Sequence, residues 1–288
     1  LKILSILLPV FTVVLVGYIY GRIYRPDLKV INQVVLYVFL PALVFDVLSS
    51  ENFRILEMRW LALGALVVVL GSGLFAYPVT FLKQLHWRSF LPCMMFNNCG
   101  NLGLPLAAFA FGDLGLQAMV LMFLVSNLVH FTLGVWIFGG AVSVVGLLTS
   151  PVNIATIAGL GVNLLAVSIP DIILEPIGLL GQVVIPMMLF SLGVRMVEVN
   201  FSQLGNGLLA AFICPLCGLI PAVLILLIIP LDPLQSSMLL LFAGLPPAAL
   251  NFLIAEQYRQ RPGDVASYVL VGNAMAVFTI GILLWFLV

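Results

Sequence analysis

Phe96-Asn97-Asn98-Cys99-Gly100-Asn101-Leu102-Gly103-Leu104-Pro105 sets three asparagines, two glycines and a proline between flanks that are otherwise continuously apolar. What this stretch means depends on the solvent around it. The 288 residues are 63% hydrophobic and 8% charged, with a mean hydropathy of +1.26. A soluble domain carries about 25% charged residues, so the composition points to a polytopic membrane protein in a lipid bilayer. In hydrocarbon an unpaired amide costs several kcal/mol. Broken backbone survives at that depth only where it is buried in protein or lines a cavity. The stretch 96–105 therefore reads as half of a substrate site.

The other compositional signals are mostly exclusions. Net charge is zero, which suggests neither a nucleic-acid partner nor a polybasic surface. Cys214-Pro215-Leu216-Cys217 would raise zinc or redox chemistry in a cytosolic chain. Inside an apolar span the two thiols read as small buried side chains. No metal-ligand spacing is present, and no cofactor is expected beyond coupling to protons or sodium. The first apolar run lacks a small-residue cleavage site and reads as a span.

About 20 apolar residues cross a bilayer as a helix. That ruler gives ten spans: 3–21, 30–49, 60–82, 89–111, 115–139, 151–169, 175–195, 206–229, 235–256 and 264–287. Loops after the odd-numbered spans hold Arg22, Arg25, Lys29, Lys83, Arg88, Arg195, Arg259 and Arg261, against Lys2, Arg54 and Arg59 on the other side. The excess of positive charge marks the cytoplasm, so both termini are expected outside it.

The chain also repeats. Pro9 and Gly17 keep the spacing of Pro151 and Gly159, at an offset of 142 residues. Pro41 and Phe45 match Pro186 and Phe190 at 145, and Phe96 and Asn127 match Phe242 and Asn273 at 146. Residues 1–140 and 151–288 thus form two five-span halves. An odd number of spans inverts the second copy, an architecture common in secondary transporters. The expected fold is all-α, with ten transmembrane helices in two inverted repeats. The counterpart of 96–105 is Phe242-Ala243-Gly244-Leu245-Pro246-Pro247-Ala248-Ala249-Leu250-Asn251. Interrupted helices at matching places in two halves point to a transport site, so spans 4 and 9 are expected to cross at their breaks.

Four motifs carry a resemblance to the auxin efflux carrier family, which includes plant PIN transporters and bacterial organic-acid permeases. Asn98-Cys99-Gly100-Asn101-Leu102-Gly103-Leu104-Pro105-Leu106 is similar to the family's break in span 4. Pro186-Met187-Met188-Leu189-Phe190-Ser191-Leu192-Gly193 is similar to its span 7 motif. Residues 245–258, ending Ala255-Glu256-Gln257-Tyr258, resemble its span 9 signature, and Phe39-Leu40-Pro41-Ala42-Leu43-Val44-Phe45 fits span 2. The match runs nearly end to end. It implies a scaffold from spans 1, 2, 6 and 7, a mobile transport domain from spans 3–5 and 8–10, and a homodimer formed through the scaffold. Two departures argue against auxin as substrate: only residues 139–150 join spans 5 and 6, and Asn251 replaces the second crossover proline of plant PINs.

The site chemistry follows from helix ends. A helix N-terminus leaves N–H groups unpaired and carries roughly half a positive charge. Breaks in spans 4 and 9 are expected to place two such ends, after Pro105 and after Pro247, around one point. Asparagine amides add donors without fixed charge, and no lysine or arginine lies in the interior of a span. The expected ligand is a small organic anion, a carboxylate, held by Asn98, Asn101, Gly103, Pro105, Pro246, Pro247 and Asn251. Asn97, next to Asn98, is expected to point elsewhere on a helix. Asn127 and Asn273 sit at matching positions beside the breaks; they either support the crossover and ligand or bond another helix. Asp46, His130 and Glu256 are ionisable groups within or near spans and are candidates for ion coupling. For His130 the alternative is a neutral imidazole bonded to a carbonyl. Arg195 and Glu198 read as a solvated pair after span 7.

These residues lead to a secondary transporter of the cell membrane, working by elevator-type alternating access. A channel or ligand sensor on the same scaffold is the alternative. An intramembrane hydrolase using Ser126 and His130 lacks an oxyanion-type glycine context, so no enzyme is expected.

Overall fold

The computed structural model describes residues 2–198 and 204–288; Glu198's side chain, and with it the expected pair with Arg195, lies outside the described part. Among the described residues all regular structure is helical. The chain opens with α1 (Lys2–Tyr24), then α2 (Leu28–Val34), which continues through a π-helical turn into α3 (Leu40–Ser49). Asp27 caps α2 by accepting from the Lys29 N–H at 2.8 Å. Next come α4 (Arg59–Leu82), α5 (Trp87–Met95), α6 (Leu104–Val129) and the short α7 (Val135–Ile137) and α8 (Val144–Leu148). The second half holds α9 (Pro151–Leu164), α10 (Asp171–Gln182), α11 (Val184–Arg195), α12 (Leu204–Leu226), α13 (Pro233–Ala243), α14 (Leu250–Gln257) and α15 (Pro262–Leu287).

Among the described residues, seven helical stretches are long and apolar enough to cross a membrane. One of them, Cys99–Ile137, has 39 residues, close to twice the roughly 20 that one crossing needs. It does not run straight. Gly112 adopts φ 65°, ψ −152°, outside any helical geometry, in a region essentially reserved for glycine. The break falls where the apolar pattern separates spans 4 and 5. Span 6 is shorter than its pattern: α9 ends at Leu164 because Ala166 turns left-handed (φ 49°) and the Val167 N–H returns to the Val162 carbonyl at 3.0 Å.

The chain divides into two compact units: Pro9–Met58 with Ser143–Val197, and Leu1–Leu8 with Arg59–Val142 and Glu198–Val288. In the first, α3 packs on α9 and α10. The main parts of α1 and α11 approach so closely that a Cβ on Gly193 would stand 2.0 Å from the Val14 carbonyl oxygen. Small residues permit such backbone contact between membrane helices. In the second unit α12 packs against α4, α5 and α15, and α4 also meets α6. Its core is apolar and includes Phe90, Phe96, Phe242 and Tyr268, all under 2% exposed.

One end of the second unit carries a titratable group outside the spans. His86 precedes α5, and its pKa lies below the ordinary 6.5, first through burial and then through repulsion from Arg261 and Arg88, with Asp264 opposing. Here the folded state binds the proton less readily than the unfolded chain, so stability falls as pH drops through about 6.5. Melting temperature measured from pH 8 to 5.5 should show that decline. His86→Gln should flatten it, and an equally steep decline in the variant would assign the effect to other groups.

Candidate functional site: a crossing of two interrupted helices

The site lies wholly in the second unit. Helix α5 stops at Met95, and Phe96 turns extended (φ −105°, ψ 100°). Helical structure resumes as a π-helical turn over Cys99–Gly103, which runs into α6. The other interruption separates α13, ending at Ala243, from α14, starting at Leu250. Between these ends the two extended segments pair as an antiparallel bridge, Asn97 opposite Pro247. The Asn98 N–H donates to the Pro246 carbonyl at 2.7 Å, and the Ala248 N–H donates to the Phe96 carbonyl at 2.9 Å. Each break thus satisfies backbone groups that the other leaves open, which is what permits non-helical chain in a membrane protein interior.

Side-chain amides complete the junction. Asn98 Nδ2 donates to Asn273 Oδ1 at 2.7 Å. Asn273 Nδ2 donates onward to the carbonyls of Pro247 at 2.9 Å and Val269 at 2.8 Å. Asn251 Nδ2 donates to the Phe96 carbonyl at 3.0 Å, and Asn97 Nδ2 donates to the Phe242 carbonyl. Asn97, Asn98, Asn251 and Asn273 are all buried. Helix α15 comes close enough that a Cβ on Gly272 would meet Pro247 Cδ at 2.7 Å. Behind the crossing, the Cys214 thiol of α12 lies 3.5 Å from the Cys93 carbonyl and 3.6 Å from that of Leu245, touching both interrupted strands of chain.

The structure brings Asn98, Pro246, Pro247, Asn251 and Asn273 into one hydrogen-bonded cluster. Gly103 and Pro105 are buried beside it, and Asn101 is half-buried on the π-helical turn. Asn127 lies half-buried on α6, with its backbone carbonyl accepting from the His130 N–H. Asn127 and Asn273 therefore differ: only the Asn273 side chain joins the crossing. His130 is buried, with its ring stacked on Phe96 at 4.0 Å between centroids and 3° between planes. It stands beside the Asn251 side chain, although His130 Nε2 and Asn251 Oδ1 form no hydrogen bond among the described residues. Glu256 is exposed near the end of α14. Asp46 belongs to the other unit, half-buried on α3, with its carboxylate against Gly178 of α10.

Two expectations need correction. Helical structure after the first break starts at Cys99, not after Pro105, because the Leu102 and Gly103 N–H groups both close onto the Asn98 carbonyl, at 3.2 and 3.0 Å. Asn98 is thus the residue preceding the helix, and Pro105 lies inside it. Asn97, expected to point away, is part of the junction. On an extended chain adjacent side chains face opposite ways, so Asn97 and Asn98 reach different partners. The signal was available in the glycine- and proline-rich composition of the stretch, which disfavours helical spacing.

Together these features define a multi-pass helical membrane protein with a polar crossing buried in its interior. The chain matches the family described as "Membrane transport protein" over residues 2–145 and 140–285, and it belongs to that family, the auxin efflux carrier (PIN-like) permeases. It is a membrane transporter and not an enzyme. It is 24% identical to "Uncharacterized transporter MJ1031" of Methanocaldococcus jannaschii, with 99% of this chain and 98% of that protein covered. It is 26% identical to "Putative malonate transporter" of Rhizobium meliloti, covering 99% of this chain and 95% of that one.

Proposed function

We propose that the protein is a secondary transporter of a small carboxylate, with the ligand held at the crossing of the two interrupted helices. The observation that carries this reading is the paired break: two helix starts, at Cys99 and Leu250, stand beside an asparagine cluster with no fixed charge among its members. Helix N-termini favour anions through free N–H groups and the helix dipole. Neutral donors suit a carrier, which must release what it binds. The name of the Rhizobium meliloti relative adds malonate as the first compound to try.

The architecture we propose has ten spans in two inverted repeats. Dividing Cys99–Ile137 at Gly112 gives two spans, and α9 and the interrupted α13–α14 give two more beyond the other six long helical stretches. The unit Pro9–Met58 with Ser143–Val197 takes the role of scaffold and dimer surface, and the remaining unit moves with the ligand in an elevator cycle. Both termini face away from the cytoplasm. Protons or sodium drive the cycle, with Asp46, His130 and Glu256 as the groups to test.

The deciding experiment is flux into proteoliposomes across mono- and dicarboxylates, with pH and sodium gradients imposed separately. Saturable malonate uptake that accelerates with unlabelled malonate on the opposite side is expected. Non-saturating flux without such exchange would identify a channel, and no flux of any carboxylate would reject the substrate class.

A further inference from the structure

The unit Pro9–Met58 with Ser143–Val197 holds a groove of about 470 Å³, remote in sequence from the interrupted helices. It lies where α3 ends at Ser49 and α9 ends at Leu164, so its depth is that of a span end, at the headgroup level. The segment between α3 and α4 forms one wall and the turn after α9 the other.

That wall is held in place. Asn163 Nδ2 donates both to the Ser50 carbonyl at 2.9 Å and to the Phe53 carbonyl at 3.0 Å, while the Phe53 side chain is 1% exposed and anchors the turn from inside. The volume falls within the range of about 300–1,000 Å³ usual for ligand pockets. Its lining is divided in character. Leu56, Leu164 and Val167 present exposed apolar surface, whereas Glu51, Arg54 and Glu57 supply charge. Arg54 Nη1 and Glu57 Oε1 pair at 3.0 Å, in the open. The Glu51 carboxylate is exposed and has no ion-pair partner among the described residues, so the groove carries one uncompensated negative charge beside a guanidinium.

We propose that this groove binds the headgroup of a phospholipid bearing a primary amine, phosphatidylethanolamine being the simplest. The ammonium meets Glu51, the phosphate shares Arg54 with Glu57, and the start of an acyl chain covers Leu56, Leu164 and Val167. A choline headgroup has no N–H donor for the carboxylate, and a glycerol headgroup has no cation.

The test uses the full chain, purified in detergent and stripped of lipid. Melting temperature is followed while phosphatidylethanolamine, phosphatidylcholine or phosphatidylglycerol of identical acyl chains is added, and native mass spectrometry counts retained lipids. Phosphatidylethanolamine should stabilise most, with one molecule retained. Glu51→Gln should weaken its apparent affinity at least tenfold while leaving the lipid-free melting temperature unchanged, because Glu51 is exposed. Arg54→Gln should weaken all three lipids together. Equal shifts from the three lipids, or a preference that survives Glu51→Gln, would overturn the proposal. So would stabilisation that follows protein concentration instead of lipid identity, since a second copy would then fill the groove. Transport activity does not enter, so the outcome is independent of the carboxylate reading.

Discussion

Asn98→Ala is expected to abolish the thermal stabilisation given by malonate and to lower malonate flux at least tenfold, while the protein still folds. The side chain removed is the donor to Asn273 Oδ1, at 2.7 Å in a buried setting. Without it that oxygen becomes an unsatisfied acceptor, a cost of about 1–3 kcal/mol. That cost falls on the fold with or without ligand. Affinity is expected to fall because the Asn98 amide is also a donor proposed for the carboxylate, and each 1.4 kcal/mol lost from binding is about tenfold in affinity. The crossing itself persists, because the bonds from the Asn98 N–H to Pro246 and from the Ala248 N–H to Phe96 are made by backbone. Asn97→Ala is the matched control. It removes a donor to the Phe242 carbonyl, so it should lower the melting temperature yet leave the malonate-induced shift in place. If the shift is unchanged in Asn98→Ala, the ligand binds elsewhere.

The paired control matters because sequence alone ranks these two asparagines differently from the structure. Hydropathy made the membrane class plain, and a polar, glycine-bearing stretch in an apolar span is conspicuous for the same reason. What the pattern cannot supply is the point where helical structure resumes. Proline at a first helical position is a common start signal, which favours Pro105. The actual start depends on which carbonyl the Leu102 and Gly103 N–H groups find, and they find that of Asn98. A related ambiguity affects the end of α9. Nothing in Leu164-Leu165-Ala166-Val167 marks a stop, and an alanine takes the left-handed position usually held by glycine. Asn127 and Asn273 show a third limit. Matching positions in a repeat specify a place on the chain, but only Asn273 has a partner break, with the Pro247 carbonyl, within reach. Long-range pairing decides the third outcome, and the first two turn on backbone bonds reaching back four or five residues, to Asn98 and to Val162, that local composition does not mark.

The largest effect on stability is expected at Gly193, which belongs to the unit that does not carry the helix crossing. Gly193→Val should eliminate most of the folded, monodisperse protein and shift the remaining melting transition strongly downward. A Cβ there would stand 2.0 Å from the Val14 carbonyl oxygen and 2.8 Å from the Tyr18 nitrogen. Both obstacles are main-chain atoms of α1, which cannot rotate aside as a side chain would. The contact is reciprocal, since a Cβ on Gly17 would lie 2.2 Å from the Phe190 carbonyl oxygen of α11. Relieving it requires α1 and α11 to separate along their common face, forfeiting the dispersion contacts that hold membrane helices together. Overpacking of interiors usually costs about 1–3 kcal/mol, and a backbone clash belongs above that range. Total stabilities are only about 5–15 kcal/mol. Gly161→Ala provides the comparison: apart from its own stretch of helix backbone, nothing lies within 4 Å of its Cβ position, and it sits inside α9. Alanine is favoured over glycine in a helix by about 0.5–1 kcal/mol, so this variant should melt at or slightly above the parent temperature. Thermal unfolding followed by size-exclusion chromatography separates the two. A Gly193→Val protein that melts like the parent would mean that α1 and α11 do not meet backbone to backbone.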